Sequence, residues 1–543
     1  MKKLNHILIL SLMLSVVSCS DWVHEPSPNV TTLEDFYQSQ ESAIQNVNAA
    51  YVPLMWEYNS TYFSEFFIGD VVSDDALKGG QYVMTDMMDA YEMENWKTNT
   101  NNSLLRDYYR AKFQGIGRCN LVLKYVPEMD NSLFTDGVKE RVIGEAKFLR
   151  AYYYFQLVRV FGGVPLSLEV ISSSEKWQMP RSTREAVVEQ ILSDLTDAEA
   201  VLWEKSDSRF TPEDLGRATK GAAQAMLLKV NLYKAGLIDN SAYEEAYNWG
   251  HKLTRESTEY DLFPLYEDNF TLAGENGIES VFEVQYGQEP TSDYGEGYGF
   301  TRGTFQVILT RTRSSLAFGE TGWGFNRPTQ NLYDEYEESD PRRDITIFNP
   351  TNEQIENPAE EIYLGDRYCS RKYAMYYNDG TCYHLDHPTR GPINRKDIRF
   401  SDVLLMYAEA CEATTRTSEA EWALERVRSR ARSNASEDAI NPLPEYPNYT
   451  IKINGVEKTP TLKEAIRHER RMELAMEGHR WYDLCRWKGF DGSGVKQHMD
   501  AYKLTETPEA QEHMGDFVAG KHELFPIPSQ EIDLNPMDQN PLY

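Results

Sequence analysis

Apolar residues recur at three- and four-residue spacing through much of the chain, and the recurrences come in pairs. Ala222 to Ala235 (AAQAMLLKVNLYKA) carries one such stripe, meets Gly236, and is followed by a second amphipathic run from Ser241 to Leu253. This spacing predicts two helices joined by a short turn, with small alanines where they cross. The same pairing is read at Val142–Phe161 with Arg184–Trp203, at Asp402–Ala413 with Glu419–Arg432, and at Ser42–Trp56 with Leu104–Tyr125. Four imperfect helical pairs, without a strict period, are expected.

Between the pairs, residues of about 57–103, 255–400, 433–460 and 489–543 lack helical periodicity. Segments of that length usually serve function or carry minor elements of their own. Short β-like runs are read at Glu279–Tyr286, Phe305–Thr310 and Arg371–Tyr377, the last entering a hairpin turn at Asn378-Asp379-Gly380. The expected fold is therefore dominated by α-helix: pairs similar to tetratricopeptide units form a scaffold, with long loop-rich insertions and minor β hairpins. Loops on a rigid scaffold are where binding groups tend to sit.

Thr461-Leu-Lys-Glu464 is a capping box, predicted to open one helix over 462–488 with Ile466, Leu474, Trp481 and Leu484 as its apolar stripe. Glu469, Arg470, Arg471, Glu473, Glu477 and Arg480 then form a mixed-charge network at three- and four-residue spacing, with a polar binding surface as the alternative. Phe525-Pro-Ile-Pro528 and Asn535-Pro536 force extended backbone and predict a C-terminal strap against the helices.

Composition narrows the function. Of 543 residues, 55 are Lys or Arg and 85 are Asp or Glu, a formal charge of −30, with 41% hydrophobic and 12% aromatic content. Such a chain folds, and its charge argues against a general binder of nucleic acid or anionic lipid, which demands Lys and Arg to neutralise phosphate. After the N-terminus no apolar run reaches the roughly 18 residues that span a bilayer. Met1–Cys19 (MKKLNHILILSLMLSVVSC) has the basic end and short apolar core of a secretory signal. A small residue directly before Cys19 also resembles the bacterial lipoprotein signal, so residues 1–18 read as the signal and Cys19 as the lipidation site, the alternative being a plain signal peptide. Cys119, Cys369, Cys382, Cys411 and Cys485 show neither zinc spacing nor a disulfide framework and are expected to be buried free thiols.

Four spaced segments carry a family resemblance: Glu145–Pro165 (EAKFLRAYYYFQLVRVFGGVP), Arg399–Ala413 (RFSDVLLMYAEACEA), His468–Gly489 (HERRMELAMEGHRWYDLCRWKG) and Leu524–Tyr543 (LFPIPSQEIDLNPMDQNPLY). Together, and in this order, they resemble the SusD/RagB family of surface lipoproteins of the Bacteroidetes. The resemblance covers 19–543, read as one domain with an N-terminal part to about 255, a ligand-binding insertion at about 256–400 and a C-terminal part from about 400. It implies four tetratricopeptide-like units and an outer-membrane anchor through acylated Cys19. It also implies partnership with a SusC-like TonB-dependent barrel transporter, over which the protein acts as a lid that captures a glycan, or in some members a peptide, without catalysis.

Enzyme signatures fail on inspection. His468-Glu469 begins a zincin-like motif, but Met472 stands at the second histidine position. Gly295-Glu-Gly-Tyr-Gly299 lacks the lysine and the following helix of a phosphate loop, and reads as a loop displaying Tyr294, Tyr298 and Phe300. No cofactor is expected; Asp70, Asp74 and Asp75 offer hard oxygens to a structural Ca²⁺, without the spacing of an EF-hand.

A sugar site needs flat aromatic faces beside amide, carboxylate or guanidinium groups. Two loop regions supply that mixture, Asp74–Asn102 and Tyr294–Arg327. The candidate ligand residues are Trp323, which Gly322 and Gly324 suggest as an exposed tip, then Tyr298, Tyr82 and Tyr294, with Asp75, Gln81, Arg302 and Asn326 as polar partners. Acidic loops around Asp74, Asp75 and Glu296 would suit basic peptides instead.

Overall fold

The computed structural model describes residues 36–57, 65–171, 178–288, 302–387, 389–440 and 442–543. The signal segment, Cys19, Tyr294, Glu296 and Tyr298 lie outside the described residues.

All four helical pairs form. Gln40–Tyr51 packs on Ser103–Tyr125, Val138–Phe161 on Arg184–Val201, Lys220–Leu237 on Ala242–His251, and Phe400–Ala413 on Thr417–Ser433. Local chemistry sets their starts: Asn102, Thr183 and Thr219 each accept a backbone N–H three residues on, and Ser39 closes a capping box with Ser42. Pairs also stack on their neighbours in chain order, Ser103–Tyr125 against Val138–Phe161, Arg184–Val201 against Lys220–Leu237, and Ala242–His251 against Phe400–Ala413. The result is a solenoid-like stack with a continuous apolar core. Close approach is bought by glycine at Gly115, where a Cβ would lie 2.4 Å from the Tyr153 ring. Tyr152, Tyr153 and Tyr154 are all buried, and the hydroxyls of the last two donate to the carbonyls of Ala50 (2.7 Å) and Ser167 (3.0 Å).

Two local expectations change. Ser280–Val284 is a strand and pairs antiparallel with Arg395–Arg399, but Gln306–Thr310 is a short buried helix. The Asn378–Gly380 turn forms, with the Tyr377 N–H donating to Thr381 O at 2.8 Å, yet Arg371–Tyr377 contributes only a bridge from Tyr376 to Cys382. The five cysteines are free, Cys119, Cys369 and Cys411 buried, Cys382 and Cys485 partly so.

The largest change concerns 462–488. The chain forms two helices, Leu462–Leu474 and Arg480–Trp487, separated by a turn in which Met476 and Gly478 take φ of +66° and +79°. The turn lies on the backbone of Gly69, where a Cβ would fall 2.2 Å from the Gly478 carbonyl oxygen. The charged residues of this segment do not form a solvated face. Glu473 meets Arg430 (2.6 Å), Arg399 (3.0 Å) and Arg342 (3.1 Å); Glu469 meets Arg342 (2.6 Å) and Arg428 (3.1 Å); Glu477 meets Lys372 (2.7 Å) and Arg399 (2.8 Å). All of these side chains are buried, so the lattice ties the last helices to the strand Arg395–Arg399, the helix Thr417–Ser433 and the 340–372 loops.

The C-terminus is the expected strap. Phe525 N–H donates to Val160 O (2.9 Å), Ser529 N–H to Thr100 O (2.9 Å), and Asn540 Nδ2 to Phe161 O (3.0 Å), with one helical turn at Ser529–Leu534.

Candidate functional site: two loops joined by a ribbon

The two loop regions singled out by aromatic content meet. Ala76–Gly79 pairs antiparallel with Phe325–Pro328, Leu77 opposite Arg327 and Gly79 opposite Phe325, and the Gly80 N–H extends the ladder to Gly324 O at 2.8 Å. The ribbon therefore delivers Gln81 and Tyr82 from one strand, and Trp323 from the other, to the same end.

Glycine makes this junction possible. Gly79 and Gly80 take φ of +79° and +81°, and a Cβ on Gly80 would lie 2.5 Å from Asp86 Oδ2 and 2.8 Å from the Phe325 ring. Gly80→Ala is expected to cost about 1–3 kcal/mol through backbone strain and crowding, read as a lowered midpoint in urea denaturation. A Gly80 variant as stable as the parent would contradict this geometry.

At the ribbon's end Tyr82 is 58% exposed, and Met84 and Met88 beside it in sequence are also exposed. Gln81 is half-buried, its N–H held by Asp86 Oδ2 at 2.8 Å. Arg302 is exposed, its carbonyl accepting from Gly287 N–H at 2.6 Å. Trp323 is not the exposed tip that its flanking glycines suggested. Its ring is half-buried against Phe305, 6.2 Å between centroids. The N–H groups of Gly322, Trp323 and Gly324 donate to Thr312, Ile308 and Arg311 carbonyls at 2.7, 2.7 and 2.9 Å. Gly322 is there because a Cβ would sit 2.3 Å from Arg311 Cβ, and Gly324 because its φ is +67°. Trp96 packs edge-on against Phe517 at 5.4 Å.

The expected polar partners Asp75 and Asn326 are corrected. Asp75 is 1% exposed and its Oδ1 accepts from Arg471 Nε at 2.8 Å, so it faces inward, away from any surface ligand. Asn326 is also 1% exposed, and its Nδ2 donates to Asp70 Oδ2 at 3.2 Å. The Ca²⁺ reading of Asp70 and Asp74 is corrected for the same reason. Asp74 is gripped by Arg480 (2.7 and 2.8 Å) and His498 (2.8 Å), and Arg471 stands 3.3 Å away. Burial raises its pKa, but Arg471 and Arg480 outweigh burial and hold it well below the usual carboxylate range. Among the described residues no group of His, Cys, Asp and Glu is placed to hold a metal.

Asp70 behaves differently. Burial, reinforced by Asp75, pushes its pKa up to about 8, against the Gly478 N–H (2.8 Å) and Asn326 that favour the anion. Asn326 Oδ1 is buried without a partner among the described residues and offers a protonated Asp70 an acceptor once the amide turns over. Because the folded value exceeds the unfolded one, Asp70's contribution is fully present below about pH 4 and is lost as pH rises to about 8. Asp70→Asn is expected to flatten that decline in urea stability; an unchanged pH profile would contradict it.

The zincin-like His468 is fully buried, its Nε2 3.4 Å from Glu335 O, with burial pushing its pKa down to about 3. Lys78 and Arg471 build the site from behind: the sequence offers Lys78 in the Asp74–Asn102 mixture and Arg471 in the 462–488 charge network, but no local pattern announces their partners at Asp86, Glu335 and Asp75.

Comparison with known proteins follows this architecture. A family model described as the SusD family matches residues 278–543, and one described as starch-binding associating with outer membrane matches residues 22–232. SusD-like protein P2 of Formosa agariphila is 26% identical over 99% of both chains. The fold of a laminarin binding SusD-like protein superposes with TM-score 0.73 and 26% identity, covering 93% of this chain and 100% of that one. Surface glycan-binding protein A from Bacteroides thetaiotaomicron, in complex with laminarihexaose, superposes with TM-score 0.72 and 24% identity, covering 93% of this chain and 100% of that one. Helical pairs, C-terminal strap and two matching models agree: the chain belongs to the SusD/RagB family.

Proposed function

We propose that this protein is a cell-surface lipoprotein of the outer membrane that captures an oligosaccharide or polysaccharide and passes it to a SusC-like TonB-dependent barrel transporter. It acts as a lid, anchored through acylated Cys19, and breaks no bond. The observation that carries the reading is the ribbon end, where exposed Tyr82 and half-buried Trp323 are brought together on a rigid helical scaffold. Flat aromatic faces on a fixed support suit the C–H faces of sugar rings. Gln81 and Arg302 supply hydrogen bonds, and Tyr294 and Tyr298 are proposed as further aromatic ligand residues. The laminarin-binding relative makes a β-glucan the first ligand to try. The peptide alternative loses two of its three acidic residues, since Asp74 and Asp75 face arginines in the interior, and Glu296 lies outside the described residues.

Native affinity electrophoresis in gels containing laminarin and a panel of other glycans tests this. Retardation in at least one glycan is expected. Migration unaffected by every glycan, with capture of peptides from a proteolysed extract, would overturn it.

A further inference from the structure

Lys78 lies in the ribbon strand, fully buried, with its ammonium turned into the loop that follows. Nζ donates to the carbonyls of Gly79 (2.7 Å), Asp86 (2.7 Å) and Tyr82 (3.3 Å). Three donors meet three backbone acceptors, all from Gly79–Asp86, so the loop wraps the ammonium much as carbonyl oxygens wrap a metal ion. The rings of Phe325 and Tyr363 cover it, each centroid 5.2 Å away. The strand is fixed in turn by Glu94, which accepts the Lys78 N–H at 3.0 Å and the Tyr363 hydroxyl at 3.1 Å.

We propose that Lys78 Nζ is the internal cation around which the Gly79–Asp86 loop is built, making Lys78 the positioning residue that sets the Tyr82 ring for its ligand. The second half of this statement rests on the glycan-binding reading; the first does not. Without the ammonium, converging carbonyl dipoles would be buried unpaired and would repel one another, so the loop must open toward water.

Loss of the proton has the same sense, since a neutral amine keeps only two donors and no charge. Burial lowers the Lys78 pKa to about 8, opposed by Glu94 and Asp86. The other groups facing it are the Tyr363 phenol, held above its ordinary value by burial and Glu94, and Arg327, whose side chain packs beside Gly79 from the paired strand. The loop is thus closed at neutral pH and loosens as pH rises through about 8.

Hydrogen exchange of residues 79–86, corrected at each pH for the intrinsic rate, tests this alongside affinity electrophoresis of the same protein in laminarin. Between about pH 7 and about pH 9.5 protection should fall on the order of tenfold, following the ammonium fraction, while the Ser103–Tyr125 helix stays protected. Lys78→Met should abolish the loop's protection at both values and weaken retardation. Protection in Lys78→Met equal to the parent's, or a flat profile in the parent, would overturn the proposal; if Lys78→Met does not fold, the parent's profile decides. The expected loop profile in a protein that no glycan retards supports the cage and sinks the glycan reading alone.

Discussion

Glu473→Leu is expected to destabilise the protein by about 3–5 kcal/mol or to prevent its folding, because it removes one partner from a buried charge lattice and strands the others. The Glu473 carboxylate, wholly inaccessible, faces Arg430, Arg399 and Arg342, and those guanidiniums also serve Glu279, Glu477, Glu469 and Asp340. Loss of that carboxylate takes from Arg430, Arg399 and Arg342 an acceptor and charge partner that buried surroundings do not replace. An exposed pair provides the contrast: Lys496 and Asp500, each about half exposed and 2.7 Å apart, should tolerate Lys496→Ala within about 0.5 kcal/mol. Urea denaturation of both variants checks the comparison. Burial raises the Glu473 pKa, but the three arginines outweigh it and hold it below the ordinary value. Its contribution is therefore present above the unfolded carboxylate range and is lost as pH falls toward the folded value, so the lattice weakens only in acid. A Glu473→Leu protein as stable as the Lys496 variant would remove the lattice from the account.

The second large effect is on ligand. Tyr82→Ala should weaken glycan binding by about 2 kcal/mol, roughly thirtyfold, as expected for truncation of an aromatic anchor. Its ring is more than half exposed, so the thermal midpoint should stay put. Trp323→Ala should weaken binding comparably but also lower the midpoint, because that ring is partly buried and packs on Phe305. The contrast separates contact with ligand from support of the site. Equal affinity in parent and Tyr82→Ala, in a glycan the parent binds, would remove Tyr82 from the site.

The same two variants mark what the sequence could reveal. The four helical pairs were legible because apolar spacing within one helix reports which face is covered, and capping residues such as Thr219 and Thr183 act on their own turn. The strap was legible because proline limits its own backbone. The 462–488 segment was not: its charges have the spacing of a solvated helix face, and only partners as distant as Arg342 and Arg399 make them interior. Asp75 and Asn326 failed likewise, since a short polar side chain in a loop gives no sign of the arginine or aspartate that will bury it. Trp323 shows a subtler failure. Glycine on either side suggested an exposed turn, yet Gly322 serves close approach to Arg311, a demand set by tertiary packing alone. Shared composition singled out the Asp74–Asn102 and Tyr294–Arg327 regions, but neither their meeting nor the ribbon through which they meet was legible.

Calorimetric titration of laminarihexaose into the parent and into Tyr82→Ala decides whether the exposed ring holds glycan. Saturable heat is expected for the parent, and affinity lower by about tenfold or more for a variant of unchanged thermal midpoint. No heat from laminarihexaose or any other glycan, or glycan binding that Tyr82→Ala leaves intact, would contradict it.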